Sequence, residues 1–316
     1  MAHLLYNLYI NLGYHFSMSS EYLDLVRFIL GVTSLIYASV HDLRTRSVPD
    51  RIWITLCLFS GALLFVQMVE DASPPGYYLI FFPVVIILLD TFDIYDLIKE
   101  RIGIDLFYPL VPVGIVLAAV SLYLGGVTSY GLILLSIPGM MVLAYILYSF
   151  RVLHGGGDAK GFIALSFLHP FYPAISVFPL IRASETGVES FGFSIIVIFY
   201  AAITVVLTLP IYYLLKNRPG ERTLPYALFG YRMRIEEARK RFVWPMEVIR
   251  NGRVVTRLYP GDEDPQAEFD SLQTAGRNII WVTPKIPFML PMTAGYILAL
   301  LLGNPLILLF RYLLGV

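Results

Sequence analysis

Long apolar segments recur along this chain, and they constrain its fold more than any other feature of the sequence. Hydrophobic residues make up 57% of its 316 residues and charged residues only 15%, and the mean hydropathy is +0.70. A helix needs about 20 apolar residues to cross a bilayer, because every backbone polar group must be satisfied within the segment. The sequence therefore predicts an all-α polytopic membrane protein that lies in the lipid bilayer.

Eight apolar segments approach this length, so about eight transmembrane helices are predicted. The sixth contains several prolines, and a kinked or partly re-entrant course is expected there because proline removes a backbone donor. The predicted spans lie near residues 23–41, 52–69, 77–92, 106–124, 129–150, 161–181, 192–215 and 288–312.

Residues 216–287 break this pattern, because they are rich in charged side chains. Within them, Asn251 and Gly252 separate two β-prone arms, and this pair suits the positive φ angles of a type I′ turn. We therefore predict a small cytoplasmic domain that contains a β-hairpin. The expected organisation is an N-terminal extracytoplasmic segment (1–22), a transmembrane catalytic core (23–215), the soluble domain (216–287) and a final transmembrane helix (288–316).

The distribution of basic residues predicts the orientation in the membrane. If the N-terminus is outside, 20 of the 23 Lys and Arg residues fall on the inner side, where positive charge is normally enriched. We therefore predict a multi-pass protein of the cell membrane with its N-terminus outside. Asp42 and Asp158 then both lie at helix ends on the cytoplasmic face.

A run of three glycines precedes a carboxylate in the block HGGGDAKGF, residues 154–162. Glycine tolerates backbone conformations closed to other residues and lets another chain approach closely. Gly155 and Gly157 are therefore predicted to shape a tight bend that presents Asp158. Two compatible interpretations of Asp158 stay open: a helix N-cap that accepts from the first free N–H groups, and a catalytic carboxylate.

Asp42 ends the first apolar segment and opens the stretch DLRTRSVPD, residues 42–50. Taken alone, its simplest interpretation is a polar helix end at the membrane interface beside arginines. The alternative is a catalytic acid or base.

The two aspartates are more informative together. An aspartic hydrolase needs two neighbouring carboxyl groups, because one must be ionised to deprotonate water while the other donates to the carbonyl oxygen. The chain has no Gly-x-Ser-x-Gly elbow, no His-Glu-x-x-His and no Walker loop to compete with this pair. Asp90, which lies deep in an apolar segment, remains a rival for the second carboxylate.

Nothing else in the sequence predicts a cofactor, a metal or a nucleic-acid partner. His41 and His154 adjoin the two motifs, and we interpret them as hydrogen-bonding residues because no third metal ligand is evident. Acidic and basic residues are equal in number, 23 of each, so no overall charge favours nucleic acid.

The blocks at residues 42–50 and 154–160, together with WVTPKIPF at residues 281–288, resemble the type IV prepilin peptidases, which are GxGD-type membrane aspartic proteases. The last block is most similar to the archaeal branch, the preflagellin peptidases. Asp42 and Asp158 fall on the two catalytic aspartates of that family.

The resemblance implies removal of a short basic leader from archaellin or type IV pilin-like precursors at the cytoplasmic face of the membrane. The two aspartates would activate water, without a metal and without a covalent intermediate. The implied partner is a precursor whose apolar helix lies in the bilayer. Members that also N-methylate their product share a cysteine-rich zinc loop, which a chain with Cys57 alone cannot build.

Two alternatives remain open on the sequence. A presenilin-like protease would cut within spans, but the Pro-Ala-Leu signature of that group is absent. A proton-coupled transporter would use intramembrane carboxylates as proton relays, although it is expected to carry them near the midplane and to show an internal repeat.

Overall fold

The computed structural model describes residues 18–103, 105, 107–153, 155–181, 192–258 and 264–306. These residues fall into two compact units. The first takes in the described residues up to Tyr200 and from Phe288 onward, and the second is Ala201–Pro287. Most of the predicted N-terminal segment, His154 and the last part of the predicted eighth span lie outside the described residues.

The described part of the chain is mainly helical, with five short strands. The helices are α1 (Met18–Thr45), α2 (Asp50–Glu70), α3 (Phe81–Thr91), α4 (Ile94–Ile102), α5 (Phe107–Gly125), α6 (Ser129–Ser149), α7 (Gly156–Leu168), α8 (Phe193–Lys216), α9 (Ile235–Ala238), α10 (Pro265–Thr274) and α11 (Met289–Leu302). The strands are β1 (Tyr231–Arg234), β2 (Val243–Pro245), β3 (Glu247–Arg250), β4 (Arg253–Thr256) and β5 (Ile279–Pro284).

Among the described residues, four helices are long and apolar enough to cross a membrane, namely α1, α2, α6 and α8. A fifth candidate is the helical segment Pro75–Thr91 followed by α4, which is bent by 84° at the break between them. The chain is thus a membrane protein, and the predicted count of eight spans is not confirmed. The apolar segments in α5 and α11 are shorter than a full span.

The sixth predicted span, residues 161–181, is not a single helix. The helix found there, α7, has only 13 residues and is about 20 Å long at 1.5 Å per residue, against the roughly 30 Å of a hydrocarbon core. It ends at Leu168 because Pro170 cannot continue a helix and also disfavours the helical conformation of His169 before it. The interruption at the prolines is as predicted.

Helix α7 is the most enclosed element of the first unit. Every residue from 161 to 170 is buried, which is typical of a helix surrounded by other helices rather than by lipid. A Cβ at Gly161 would lie 3.2 Å from the Trp53 ring of α2 and 3.5 Å from Met292 Sδ of α11. Glycine therefore lets α2, α7 and α11 pack closely, with the N-terminus of α7 at one end of this contact.

The second unit is built on two antiparallel sheets. In one sheet β5 lies between β1 and β2, and its Ile280 and Val282 belong to the same buried hydrophobic cluster as Phe269 and Leu272 of α10. The other sheet is the hairpin β3–β4. Its turn residues Asn251 and Gly252 have φ angles of 51° and 73°, so the predicted hairpin and its type of turn are confirmed.

Candidate active site

Asp158 lies in the first turn of α7, and its carboxylate folds back onto the start of that helix. Gly155 is the N-cap, with φ −104° and ψ 135°, and Asp158 is the third helical residue. Its Oδ2 accepts a hydrogen bond of 3.2 Å from the Gly155 N–H. The interpretation of Asp158 as the N-cap itself is therefore wrong. It supplies the acidic half of a capping box, which satisfies one free donor at the helix start.

The glycine run owes its composition to close approach rather than to an unusual backbone. None of the glycines at 155, 156 and 157 has positive φ. A Cβ at Gly155 would lie 2.7 Å from Asp158 Oδ2, closer than real Cβ contacts, whereas one at Gly157 would lie 3.5 Å from Val48 Cβ, an ordinary contact. Gly155 thus makes room for the carboxylate, while Gly157 borders the segment that follows Asp42.

Asp42 lies in the last turn of α1 and is buried. The backbone N–H of Met289, the first residue of α11, donates to its carboxylate. The N-terminus of a helix favours a neighbouring negative charge, because its free N–H groups and its dipole point toward that charge.

His41 precedes Asp42, and its ring nitrogen Nδ1 lies 2.7 Å from the Ser47 carbonyl oxygen. That contact fixes the loop after Asp42 and matches the hydrogen-bonding role predicted for His41.

Asp42 and Asp158 lie close enough for the charge of Asp42 to act on the Asp158 carboxyl group. The pKa of Asp158 is raised to about 7, chiefly by burial and also by the negative charge of Asp42, while the hydrogen bond from Gly155 opposes both effects. Since each carboxylate disfavours ionisation of its neighbour, a site of this kind holds one proton between two carboxyl groups at neutral pH. Asp90, the rival second carboxylate, instead accepts a hydrogen bond of 2.9 Å from Tyr145.

Three helices begin beside this pair. Helix α7 begins just before Asp158, α11 begins at the amide that contacts Asp42, and α2 begins two residues after Val48, which borders Gly157. Lys160 of α7 also forms an ion pair with Asp50 of α2. The sequence did not indicate the Met289 contact or the Lys160 pair, because both join positions far apart in the chain.

In the described part of the chain, no group of three or more His, Cys, Asp and Glu side chains is placed to hold a metal ion. The groups that the described residues bring to the site are the two carboxyl groups and the backbone N–H groups of Gly155 and Met289. One protonated and one ionised carboxyl group can act as general acid and general base on a bound carbonyl group and a water molecule.

Known proteins that are similar to this chain are described as peptidases, which agrees with acid–base chemistry by a carboxyl pair. Residues 222–304 match a family described as archaeal peptidase A24 C-terminus, type II, a stretch that includes the WVTPKIPF block but neither aspartate. A preflagellin peptidase of Methanocaldococcus jannaschii is 24% identical over 298 residues, which cover 92% of this chain and 100% of that protein. The chain is thus similar to a preflagellin peptidase over almost its whole length.

Two further relatives carry the same description. A preflagellin peptidase of Methanococcus maripaludis is 23% identical and covers 89% of this chain and 96% of its own length. One from Methanococcus voltae is 26% identical over 182 residues, or 55% of this chain and 75% of its own. The resemblance inferred from the three sequence blocks is thereby confirmed.

The two glycines lead to a prediction about the start of α7. Gly155→Ala places a methyl group against the Asp158 carboxylate and breaks its bond to the backbone, so the first-turn amides of α7 should exchange about two- to fivefold faster, as expected for loss of a helix cap. Gly157→Ala is the matched control, because its methyl group makes an ordinary contact with Val48. The measurement is hydrogen exchange by mass spectrometry on the full chain. Equal effects of the two substitutions would show that Gly155 has no special role.

Proposed function

We propose that this chain is a membrane aspartic endopeptidase that removes the short basic leader from archaellin or type IV pilin-like precursors. The observation that carries the proposal is the pairing of Asp42 with Asp158, whose pKa burial and the Asp42 charge raise to about 7. The relatives described as preflagellin peptidases support the same activity, and they favour it over a proton-coupled transporter.

In the proposed mechanism, the two carboxyl groups add water to the scissile peptide bond. Asp158 holds the proton in the resting enzyme, so Asp42 is the carboxylate that takes a proton from water. The water oxygen forms a bond to the carbonyl carbon while Asp158 donates its proton to the carbonyl oxygen. In the second step, Asp42 gives its proton to the leaving nitrogen, the C–N bond breaks, and Asp158 recovers its proton from the tetrahedral intermediate.

The positions of the two aspartates along their helices bear on where the substrate is cut. Asp42 lies in the last turn of α1 and Asp158 in the first turn of α7, so both carboxylates are carried by helix ends. Such a site suits a bond at the membrane surface, just outside an apolar helix, better than a bond in the middle of a span. With the N-terminus outside, this surface is the cytoplasmic one, where the basic leader of a precursor lies.

The first test replaces each aspartate by its neutral isostere. Asp42→Asn and Asp158→Asn should each abolish processing of a co-expressed leader-bearing precursor, because neither amide can exchange a proton with water as the mechanism requires. Processing is measured by the size and N-terminal sequence of the product, with the amount of each variant in the membrane checked by immunoblot. Normal processing by either variant would remove that residue from the mechanism.

The pH dependence of cleavage tests the protonation states. The pKa of Asp158 is raised above its ordinary value to about 7, so Asp158 carries its proton below that pH and loses it above. If Asp158 is the acid, kcat/KM should fall about tenfold per pH unit on the alkaline side of this value. The measurement is initial-rate cleavage of a precursor by the purified full chain between pH 5 and 9. A rate that stays constant through pH 6–9 would contradict the assignment.

A further inference from the structure

Lys160 connects the two segments that carry the candidate catalytic residues. It lies two residues after Asp158 in α7, and its Nζ is 2.7 Å from Asp50 Oδ2 at the first residue of α2. The partners are 110 positions apart in sequence. The side chain of Lys160 is only 20% exposed and that of Asp50 is 41% exposed, so the ion pair is partly shielded from solvent.

The ion pair closes a short bridge across the site. Asp50 follows the loop that runs from Asp42, and Val48 of that loop borders Gly157 in the first turn of α7. Asp42 is thus connected to Asp158 in three steps: along the loop to Asp50, across the ion pair to Lys160, and back two residues along α7. A contact in this place limits how far the two carboxylates can separate.

The charge of Lys160 is not what sets the state of Asp158, so any influence of Lys160 on that residue is one of position. Residues two apart on a helix point to different sides, and the charge of Lys160 is not among the influences on the pKa of Asp158, which are burial, the charge of Asp42 and the Gly155 hydrogen bond. A lysine this close to the N-terminus of its own helix also gains nothing from the helix dipole. The residue that stabilises the Lys160 charge is thus Asp50 of α2, across the interface between α2 and α7.

A second carboxylate lies near the same ammonium group but contributes less. Asp93 Oδ2, at the break between α3 and α4, is 3.9 Å from Lys160 Nζ, and its side chain is 74% exposed. Exposed ion pairs at that distance contribute little, because water and salt screen them. Asp93 therefore offers a matched control for Asp50: the same residue type beside the same ammonium group, with the weaker contact.

We infer that Lys160 is a positioning residue, which, through its ion pair with Asp50, holds the Asp158 turn against the segment that follows Asp42. This role rests on the proposed peptidase function for its kinetic consequence, although the contact itself does not depend on it. A glycine-rich helix start has little intrinsic rigidity, and misplacement of a reacting group by about 1 Å costs on the order of 100-fold in rate. The Lys160–Asp50 ion pair restricts the movement of the Asp158 turn that the glycines would otherwise allow.

The kinetic test is a double-mutant cycle on precursor cleavage by the purified full chain. Lys160→Met should lower kcat about 30-fold and leave KM within about twofold of the parent value. Asp50→Asn should lower kcat about tenfold. The double variant should be no slower than Lys160→Met alone, because both substitutions remove the same ion pair. Asp93→Asn should stay within about twofold of the parent, and Lys160→Arg should retain activity within about threefold. Additive losses in the double variant, or a loss confined to KM, would overturn the inference.

A structural readout separates this inference from the proposed function. Hydrogen exchange of the amides at residues 156–160 should speed up in Lys160→Met and Asp50→Asn but not in Asp93→Asn, whatever the enzyme cleaves. If exchange at these amides is the same in all three variants, the ion pair does not hold the turn and the inference fails. If exchange responds as expected and no precursor is cleaved by the parent, the proposed function fails and the ion pair stands.

Discussion

The candidate site depends on keeping two carboxyl groups near each other in a partly desolvated environment. Two like charges at close range cannot both be ionised cheaply, and burial adds a desolvation penalty to each. The structure offsets this cost with backbone donors: the Gly155 N–H to Asp158 and the Met289 N–H to Asp42. The remaining conflict raises the pKa of Asp158, so the site holds a proton at neutral pH, as acid–base hydrolysis requires.

The short, enclosed helix α7 suits a site that has to hold a proton between two carboxyl groups. A full-length span would pass through the bilayer with its ends exposed to water, whereas α7 is short, enclosed and packed through Gly161 against Trp53. Its N-terminal turn is only partly enclosed, because Gly156 is exposed while Gly155, Gly157 and Asp158 are half-buried. The carboxylate in its first turn gains the helix dipole and a partly desolvated environment together, and both effects act on its protonation.

The local parts of this arrangement could be predicted from the sequence. The glycine run before Asp158 and the charged stretch after Asp42 stand out from their apolar surroundings, and Asn251-Gly252 specified its hairpin because the turn needs positive φ at both positions. The predicted count of eight spans is not confirmed, and hydropathy alone does not distinguish a helix buried among helices from one that faces lipid. The 13 residues of α7 and the apolar stretch after it appeared as one span.

The contacts between segments could not be predicted in this way. The Lys160–Asp50 pair and the amide of Met289 beside Asp42 join residues that are distant in the chain, and no local pattern specifies them. Of the two reasons that the sequence offers for glycine at position 155, only close approach applies: its φ is not positive, and the missing side chain leaves space for the Asp158 carboxylate.

Disulfide cross-linking tests the convergence of the two carboxylate segments most directly. A Cβ at position 157 lies 3.5 Å from Val48 Cβ, at the short end of the range for a disulfide, while no Val48 atom comes within 4 Å of a Cβ at position 156. With the single native cysteine removed by Cys57→Ala, Val48→Cys/Gly157→Cys should oxidise readily to a disulfide seen by mass spectrometry, and Val48→Cys/Gly156→Cys should not. Failure of the first pair to cross-link, or equal yields from both pairs, would contradict the site and the function built on it.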